Sequence, residues 1–173
     1  MAVILRSRRF VLRPFRKGDE ESLRKNINNR KIYRYTMLIP HPYTRRHASE
    51  WVKKKISQRG KKKAGELSFA IDVKGDVVGG IGLLHIEKHK AEIGYWLGEK
   101  YWGKGIMTAA VKLMISFCFG KLKLQRVYAS VFKGNKASAR VLEKAGFKFE
   151  GINRKNYLKD KKLFDGLLYA KVR

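Results

Sequence analysis

The segment Glu92–Ala110, EIGYWLGEKYWGKGIMTAA, places two glycines where a strand leads into a helix. An apolar strand is followed by a tight glycine-bearing turn and then by the start of an apolar helix. The first N–H groups of a helix have no intrahelical partner and carry partial positive charge. Gly103 and Gly105 lack a Cβ, so a phosphate can approach the main chain closely. The segment therefore predicts an anion site.

The spacing of these glycines excludes two common phosphate-binding motifs. The segment contains no G-x-x-x-x-G-K-[ST] sequence and no third glycine at the dinucleotide-binding offset. A plain strand-to-helix connection is the alternative interpretation, and the two glycines alone do not decide between them.

The chain is strongly basic. Its 173 residues include 41 Lys and Arg against 14 Asp and Glu, which gives a formal net charge of +27. Such a field attracts nucleic acid, an anionic membrane surface or a phosphorylated cofactor, and it repels small cations. The alternative is that the basic residues are spread over a solvated surface without a specific partner.

The cysteine and histidine content argues against metal chemistry. Cys118 is the only cysteine, so a disulfide framework and a Cys-rich zinc site are both excluded, and its apolar surroundings predict a buried core residue. His41, His47, His85 and His89 lack the spacing of metal ligands. We expect no metal.

The length of the chain suggests one domain over residues 1–173. The opening residues MAVILRSRRFVLRPF lack the apolar core of a signal peptide, and no run of 18 apolar residues follows. We expect a soluble, cytoplasmic protein that does not bind a membrane.

The first 65 residues predict one strand and two helices. The expected elements are a strand at Val3–Arg13, a helix from Gly18 or Asp19 to about Arg30, an irregular segment at 31–43, a helix at Arg45–Gln58 after the N-cap candidate Thr44, and a basic turn at Gly60–Gly65.

The remaining residues predict strands and two further helices, which together indicate an α+β fold. The expected elements are an antiparallel meander of strands at Leu67–Val73, Val77–Ile86 and Ala91–Leu97, a buried helix at Gly103–Phe119, a strand at Arg126–Phe132, a helix from Asn135 to Gly146, and a terminal strand pair at Phe147–Ile152 and Leu163–Val172.

The second half of the chain also carries a composite of motifs. It runs E-I-G-Y-W-L, Y-W-G-K-G-I-M-T-A-A, N-K-A-S-A-R-V-L-E-K-A-G-F and E-G. Together these resemble the GNAT superfamily of acetyl-CoA-dependent N-acetyltransferases, and within it the RimJ/RimL type, which acetylates N-terminal amines of ribosomal proteins. The resemblance implies a three-layer fold with a mixed, mostly antiparallel sheet of about seven strands and helices on both faces.

The resemblance also implies where acetyl-CoA binds. The family's cofactor loop corresponds to residues 100–105, where Lys100 replaces the usual Gln or Arg and keeps the charge without the planar fork. The family's splayed strand corresponds to the stretch near Trp96 and Leu97, whose backbone would pair with the pantetheine arm. The implied cofactor residues are Trp96, Leu97, Lys100, Trp102, Gly103, Lys104, Gly105, Ile106, Met107 and Asn135.

The implied catalytic residues are Glu92, Ser138 and Tyr157. Glu92 matches the superfamily's glutamate base, although it could instead pair with a nearby Lys or Arg. The tyrosine that many members use to protonate the thiolate falls on Leu142, so that role does not transfer. Ser138 matches the serine of RimL-like enzymes, but it could simply cap its helix. An acidic residue of that subfamily falls on Tyr157.

Three functions remain open from the sequence. The first is acetylation of a protein N-terminus, with the basic surface favouring an acceptor near ribosomal RNA. The second is acetylation of a small amine such as an amino acid or an antibiotic; a polyamine site would need clustered carboxylates. The third is a basic RNA-associated module that retains the fold without activity. The acceptor and the choice between monomer and homodimer are not readable from the sequence.

Overall fold

The computed structural model describes residues 3–58 and 65–173, so the expected basic turn lies outside the described residues except for Gly65. Eight strands form one sheet in the order β1-β2-β3-β4-β5-β6-β8-β7. The strands are β1 Leu5–Arg6, β2 Val11–Arg13, β3 Leu67–Val73, β4 Asp76–Leu84, β5 Lys90–Leu97, β6 Arg126–Phe132, β7 Lys148–Lys159 and β8 Lys162–Val172. The helices are α1 Glu20–Ile27, α2 Arg30–Arg34, α3 Arg45–Ser57, α4 Ile106–Gly120 and α5 Lys136–Lys144, and a 3₁₀ turn covers Glu99–Tyr101.

The expected α+β class is confirmed, with the helices distributed over both faces of the sheet. On β3, Phe69 and Ile71 belong to the core beneath α4 and α5, whereas Ala70 between them belongs to the core beneath α1, α2 and α3. This alternation is the period of two that a strand imposes on its side chains. Both faces of the central strands are therefore buried.

The N-terminal region differs from its prediction. The single strand expected at Val3–Arg13 was wrong, because the chain turns back after Arg6 and the Ser7 N–H donates to the Phe10 carbonyl at 3.0 Å. The two halves then pair as β1 and β2, which raises the strand number from about seven to eight.

The segment expected to be irregular at 31–43 contains the short helix α2. The preceding helix α1 ends at Ile27 rather than near Arg30. Asn29 then starts α2, because its side-chain oxygen accepts a hydrogen bond from the Lys31 N–H at 2.7 Å. An N-cap of this kind supplies the partner that the first turn lacks.

The other expected elements are present with modest changes. Thr44 caps α3 in a capping box with His47, and the strands β3, β4 and β5 form the expected antiparallel meander. The terminal pair is longer than expected, since β7 continues from Ile152 to Lys159 before the chain turns at Asp160 and Lys161.

The strands β5 and β6 run parallel but stay together over only three residue pairs. Lys90, Ala91 and Glu92 pair with Arg126, Val127 and Tyr128, and the pairing ends there although both strands continue. The outer edge of each strand remains paired, β5 with β4 as far as Leu97 and β6 with β8 as far as Phe132. The sheet therefore opens into a wedge beyond Glu92.

A buried ion cluster joins β2, α1 and β3. The Arg13 guanidinium donates to both carboxylate oxygens of Asp19 at 2.8 Å, and its Nε donates to Asp72 at 2.6 Å. All three residues are at least 90% buried. Because bidentate geometry satisfies the donors, the cluster offsets the cost of burying its charges.

Replacement of Arg13 by methionine should destabilise the protein by about 3–5 kcal/mol, because two carboxylates would remain buried without their counter-ion. Urea unfolding of both proteins measures this difference. The matched control is Arg16→Ala, since Arg16 reaches the same carboxylates at 3.8–3.9 Å with a side chain that is 59% exposed. We expect the control to cost less than about 1 kcal/mol, and equal losses in both variants would contradict the assignment.

Candidate functional site

A cavity of about 550 Å³ borders the stretch of β5, residues 95–97, that β6 leaves unpaired, and we call it the wedge cavity; its described lining residues include none from β6. It extends from α2 to the turn before α4 and along α5 as far as Lys144. Eight of the ten predicted cofactor residues line it together with Ser138; these eight are Trp96, Leu97, Trp102, Gly103, Gly105, Ile106, Met107 and Asn135. The structure thus gathers most of the predicted cofactor site around one cavity.

Lys100 and Lys104 do not line the cavity. Lys100 lies exposed in the 3₁₀ turn, and the Lys104 ammonium lies 5.7 Å from the ring centroid of Tyr101. The Lys104 carbonyl accepts a hydrogen bond of 2.6 Å from the Arg9 guanidinium. Arg9 therefore links the β1–β2 turn to the turn before α4.

The turn before α4 has the geometry of an anion site. Gly103 and Gly105 both have a φ of 71°, in the left-handed region that favours glycine. Gly105 is the N-cap residue of α4, and among the described residues no side chain caps this helix. The first N–H groups of α4 are therefore open toward the cavity end.

Two groups near this turn are already engaged. The Trp102 N–H donates to the Glu99 carbonyl at 3.1 Å, so this N–H is not available to bind an anion. The Trp102 indole N–H donates to the Leu97 carbonyl at 2.6 Å, which folds the turn back onto the end of β5. These bonds fix the loop while occupying part of the backbone predicted to contact a cofactor.

The described residues that line the cavity carry only positive charges. The charged lining residues are Lys31, Arg34, Arg140 and Lys144, and no carboxylate is among them. Lys31 forms an ion pair with Glu99, which lies just outside the lining. The electrostatics of the cavity therefore favour a ligand with several negative charges.

Sequence reasoning missed the contribution of α2 because it treated this segment as irregular. The helix closes one side of the cavity and is joined to the β7–β8 turn at its far end. The Tyr33 hydroxyl donates to Asp160 at 2.6 Å, and the Lys159 ammonium donates to the Thr36 carbonyl at 2.7 Å. The one local signal for this helix is the N-cap residue Asn29.

Asn135 and Ser138 meet a tyrosine that sequence reasoning also missed. The Asn135 side-chain oxygen accepts from the Ser138 N–H at 3.2 Å and so caps α5. The Tyr95 hydroxyl lies 2.9 Å from Ser138 Oγ and 3.2 Å from the Ser138 carbonyl oxygen. Burial raises the pKa of Tyr95 to about 12. No local pattern marks Tyr95, since its partner lies 43 residues away in the sequence.

Glu92 lies at the vertex of the wedge rather than in the lining of the cavity. Its side chain is 24% exposed and its carboxylate is 3.0 Å from Nδ1 of the exposed His85. The ion-pair alternative named a Lys or Arg, but the partner found is a histidine. The carboxylate remains reachable from the side of the sheet that faces α1, α2 and α3, because Glu92 and Trp96 share that side of β5.

Tyr157 lies beside the cavity without lining it. Its ring stacks on Phe132 at a centroid distance of 4.2 Å, and Phe132 in turn contacts Tyr35 of the cavity wall. Burial raises the pKa of Tyr157, and the negative charge of Glu92 adds to the rise. Gly166 permits this packing, because a Cβ there would lie 3.2 Å from the Tyr157 ring.

The remaining predictions concern Leu142, Cys118, metal ligands and membrane-spanning helices. Leu142, at the position where many superfamily members have a tyrosine, is fully buried in the core. Cys118 is buried, and burial raises its pKa to about 12. Over residues 3–58 and 65–173, no three His, Cys, Asp or Glu side chains come together as metal ligands. Within the same ranges, no helix has the length and apolar character needed to cross a membrane.

Comparison with known proteins identifies relatives over most of the chain. "Probable N-acetyltransferase YjcK" of Bacillus subtilis is 37% identical over 162 residues, covering 88% of each chain. YdaF of the same organism, named as a candidate ribosomal N-acetyltransferase, is 42% identical over 82 residues, covering 46% of this chain and 45% of YdaF. The L-amino acid N-acetyltransferase AaaT of Escherichia coli is 27% identical over 167 residues, covering 94% of this chain and 98% of AaaT.

Two solved structures with coenzyme A share the fold. RimL, a ribosomal L7/L12 α-N-protein acetyltransferase, superposes with a TM-score of 0.86 at 21% identity, covering 98% of each chain. RimJ of Mycobacterium smegmatis, in complex with a CoA disulfide, gives 0.81 at 26% identity, covering 99% of this chain and 86% of RimJ. The family model of the acetyltransferase (GNAT) domain matches residues 9–148. The chain is therefore a member of the GNAT acetyltransferase family and resembles its RimJ/RimL branch.

Proposed function

We propose that the protein is a cytoplasmic N-acetyltransferase that transfers the acetyl group of acetyl-CoA to the α-amine of a protein N-terminus. The observation that carries the proposal is the cation-lined cavity in the wedge, which ends at the uncapped glycine turn before α4. The relatives named as N-acetyltransferases and the CoA-bound fold neighbours support the donor. The acceptor rests on the likeness to RimJ and RimL.

In this proposal the donor occupies the cavity lengthwise. Its pyrophosphate accepts hydrogen bonds from the N–H groups of Gly103–Met107 at the start of α4. Its pantetheine arm lies along the edge of β5 that β6 leaves unpaired after Glu92, as an added strand would. Arg140 and Lys144 stand in the wall to balance the phosphate charge, while Lys100 and Lys104 contribute at longer range.

The reaction then needs a neutral amine and a stabilised leaving thiolate. A primary amine is largely protonated at neutral pH, so a base assists the attack. Glu92 is proposed as that base from its place at the wedge vertex. Gly94, the next residue on the same side of β5, leaves open space where a Cβ would lie, which gives an acceptor room beside Glu92. Ser138 is proposed to face the thiolate, and Tyr157 to border the acceptor.

A free amino acid is the second candidate acceptor. Cationic residues of the cavity wall, such as Arg34 on α2, could hold its carboxylate. The relative AaaT, named for L-amino acids, points in the same direction. A polyamine is disfavoured, because the described lining residues include no carboxylate to bind its ammonium groups. Proximity to ribosomal RNA through the basic surface accompanies the first candidate and is not required by the second.

The proposed function is tested by following CoA release with a panel of acceptors. Peptides with different N-terminal residues, the same peptides with a blocked N-terminus, free L-amino acids and spermidine are compared at equal concentration. We expect turnover with free N-terminal peptides and none with the blocked peptides. Faster turnover with free amino acids would instead support the second candidate, and tight acetyl-CoA binding without turnover on any amine would contradict an enzymatic role.

Gly105→Ala should weaken acetyl-CoA binding about tenfold or more. An added Cβ would lie 3.5 Å from the Arg9 guanidinium at a φ of 71°, so the turn should shift and misalign its N–H groups. Loss of one charge-assisted hydrogen bond to the anion costs about 1.5–3 kcal/mol. Titration calorimetry with acetyl-CoA measures the change. The matched control is Gly75→Ala in the β3–β4 turn, where φ is 96° and a Cβ has open space. Both variants should lose about 1–2 kcal/mol of stability from left-handed strain, but only Gly105→Ala should lose affinity.

Glu92→Gln should lower kcat by on the order of 100-fold at pH 7, the contribution of a general base. The loss should shrink at pH 9, because an α-amine with a pKa near about 8 is then mostly neutral without help. A pH profile of turnover with the best peptide measures both effects.

The control for Glu92 is His85→Ala, which removes the ion-pair partner and keeps the carboxylate. We expect turnover within about threefold of the unmodified protein if Glu92 acts as a base. Equal losses in the two variants would show that the ion pair, not the carboxylate, supports activity. Full turnover of Glu92→Gln at both pH values would remove Glu92 from the mechanism and leave the donor site unaffected.

A further inference from the structure

We propose that Tyr95 is a positioning residue, which holds the Ser138 hydroxyl so that it can donate a hydrogen bond to the departing CoA thiolate. The inference rests on the proposed function, since it assumes acetyl transfer in the wedge cavity. Tyr95 lies within the E-I-G-Y-W-L motif, but neither the implied site residues nor the proposed chemistry gives it a role.

The position of Tyr95 follows from the opening of the sheet. It lies on β5 two residues before Leu97 and three after Glu92, and so between the glycine turn and the wedge vertex. Its ring packs with the core beneath α4 and α5, and it lines the cavity. A donor bound from the glycine turn toward the vertex must pass Tyr95 with its pantetheine arm.

The contacts of Tyr95 restrict which hydroxyl donates. A carbonyl oxygen only accepts, and the Ser138 carbonyl is already the expected helical partner of the N–H four residues on, that of Leu142. The phenol has a single proton and can give it either to this carbonyl at 3.2 Å or to Ser138 Oγ at 2.9 Å. When it donates to Oγ, the serine proton is free to turn toward the cavity. The phenol proton can switch between these two acceptors by rotation of the O–H bond, without movement of heavy atoms.

This arrangement suits the collapse of the tetrahedral intermediate. The C–S bond breaks and its electron pair goes to sulfur, where negative charge develops. The Ser138 O–H donates to that sulfur while the Tyr95 O–H donates to Ser138 Oγ, and such chained hydrogen bonds strengthen one another. The acceptor amine gives its proton to Glu92, which releases it to solvent, and a solvent proton completes the thiol, so both hydroxyls end the cycle neutral.

Burial supports a donor role for the phenol throughout the working pH range. Because its pKa is raised to about 12, Tyr95 keeps its proton wherever the amine can react. A buried phenolate would repel the developing thiolate, whereas the neutral hydroxyl can only donate to it through Ser138. The cap from Asn135 fixes the backbone of Ser138, so Tyr95 supplies the remaining restraint on its side chain.

The test is a double-mutant cycle on turnover with the best acceptor. Tyr95→Phe keeps the ring and removes the hydroxyl, and Ser138→Ala removes its partner. We expect Tyr95→Phe to lower kcat about tenfold with KM for acetyl-CoA changed less than twofold. The double variant should be no slower than Ser138→Ala alone, because Tyr95 acts through the serine.

A comparison of thioesters with different leaving groups separates a role of Tyr95 in thiolate departure from a purely structural role. With an acetyl thioester of a more acidic arylthiol, the thiolate departs without assistance, so the loss in Tyr95→Phe should shrink to less than twofold in kcat/KM. Urea unfolding of each variant shows whether Tyr95→Phe folds poorly. In that case Ser138→Ala provides the test, since its loss in kcat/KM should also become smaller with the arylthiol ester.

The matched control is Tyr169→Phe. Its hydroxyl donates at 3.1 Å to Glu143 at the other end of the same helix, outside the cavity. We expect its kcat to stay within twofold, which separates loss of a tyrosine–helix bond in general from loss of this one.

Two outcomes would overturn the inference, and they are distinguishable. Multiplicative losses in the double variant, or equal losses with both thioesters, would show that Tyr95 does not act through Ser138 in an active enzyme. An unmodified protein that binds acetyl-CoA but acetylates no amine would overturn the proposed function and the inference with it.

Discussion

The separation of β5 from β6 after Glu92 leaves the inner edges of two neighbouring strands unpaired. Two neighbouring parallel strands would normally continue their ladder, but here each strand keeps only its outer partner. The backbone groups along the inner edges would be costly if they were left buried without partners. An extended ligand with amide groups, such as the pantetheine arm of the proposed donor, could form hydrogen bonds with these backbone groups. The opened sheet therefore favours a ligand of this kind. The cavity, the glycine turn and the first turns of α5 all border this opening.

Several contacts keep the wedge open. α4 packs beneath the diverging strands with buried residues on most of its turns, and α5 inserts its first turn near β5. The Tyr95 hydroxyl bridges β5 to α5, and the Trp102 indole joins the turn to the end of β5. Farther away, the buried cluster around Arg13 holds β2, β3 and α1 as one unit. The walls of the cavity therefore belong to elements that are fixed independently of any ligand.

The sequence predicted the parts of this arrangement that are encoded locally. Gly103 and Gly105 needed only their conformational freedom, and the helix start at Asn135 needed only its local sequence. The site roles of Asn135 and Ser138 came instead from the resemblance to the family. The parts it did not predict depend on distant contacts: Tyr95 meets Ser138 across 43 residues and Arg9 meets Lys104 across 95. The β1–β2 turn and α2 were missed for a different reason, since each is short and has few periodic residues. The proposed acceptor side is of the same kind, because Glu92 lies on β5 and Tyr157 lies far along the chain on β7.

The exclusively cationic lining of the cavity has a consequence for turnover. Acetyl-CoA and CoA carry the same phosphates, so if the donor binds as proposed, the cations of the lining attract substrate and product alike. Interactions that are equal in the ground state and the transition state do not accelerate the chemical step. The rate enhancement must therefore come from the few groups that sense the change at carbon and sulfur. At physiological ionic strength, salt screens charges that lie more than about 8 Å apart. Added salt would therefore slow the binding of acetyl-CoA and speed the release of CoA.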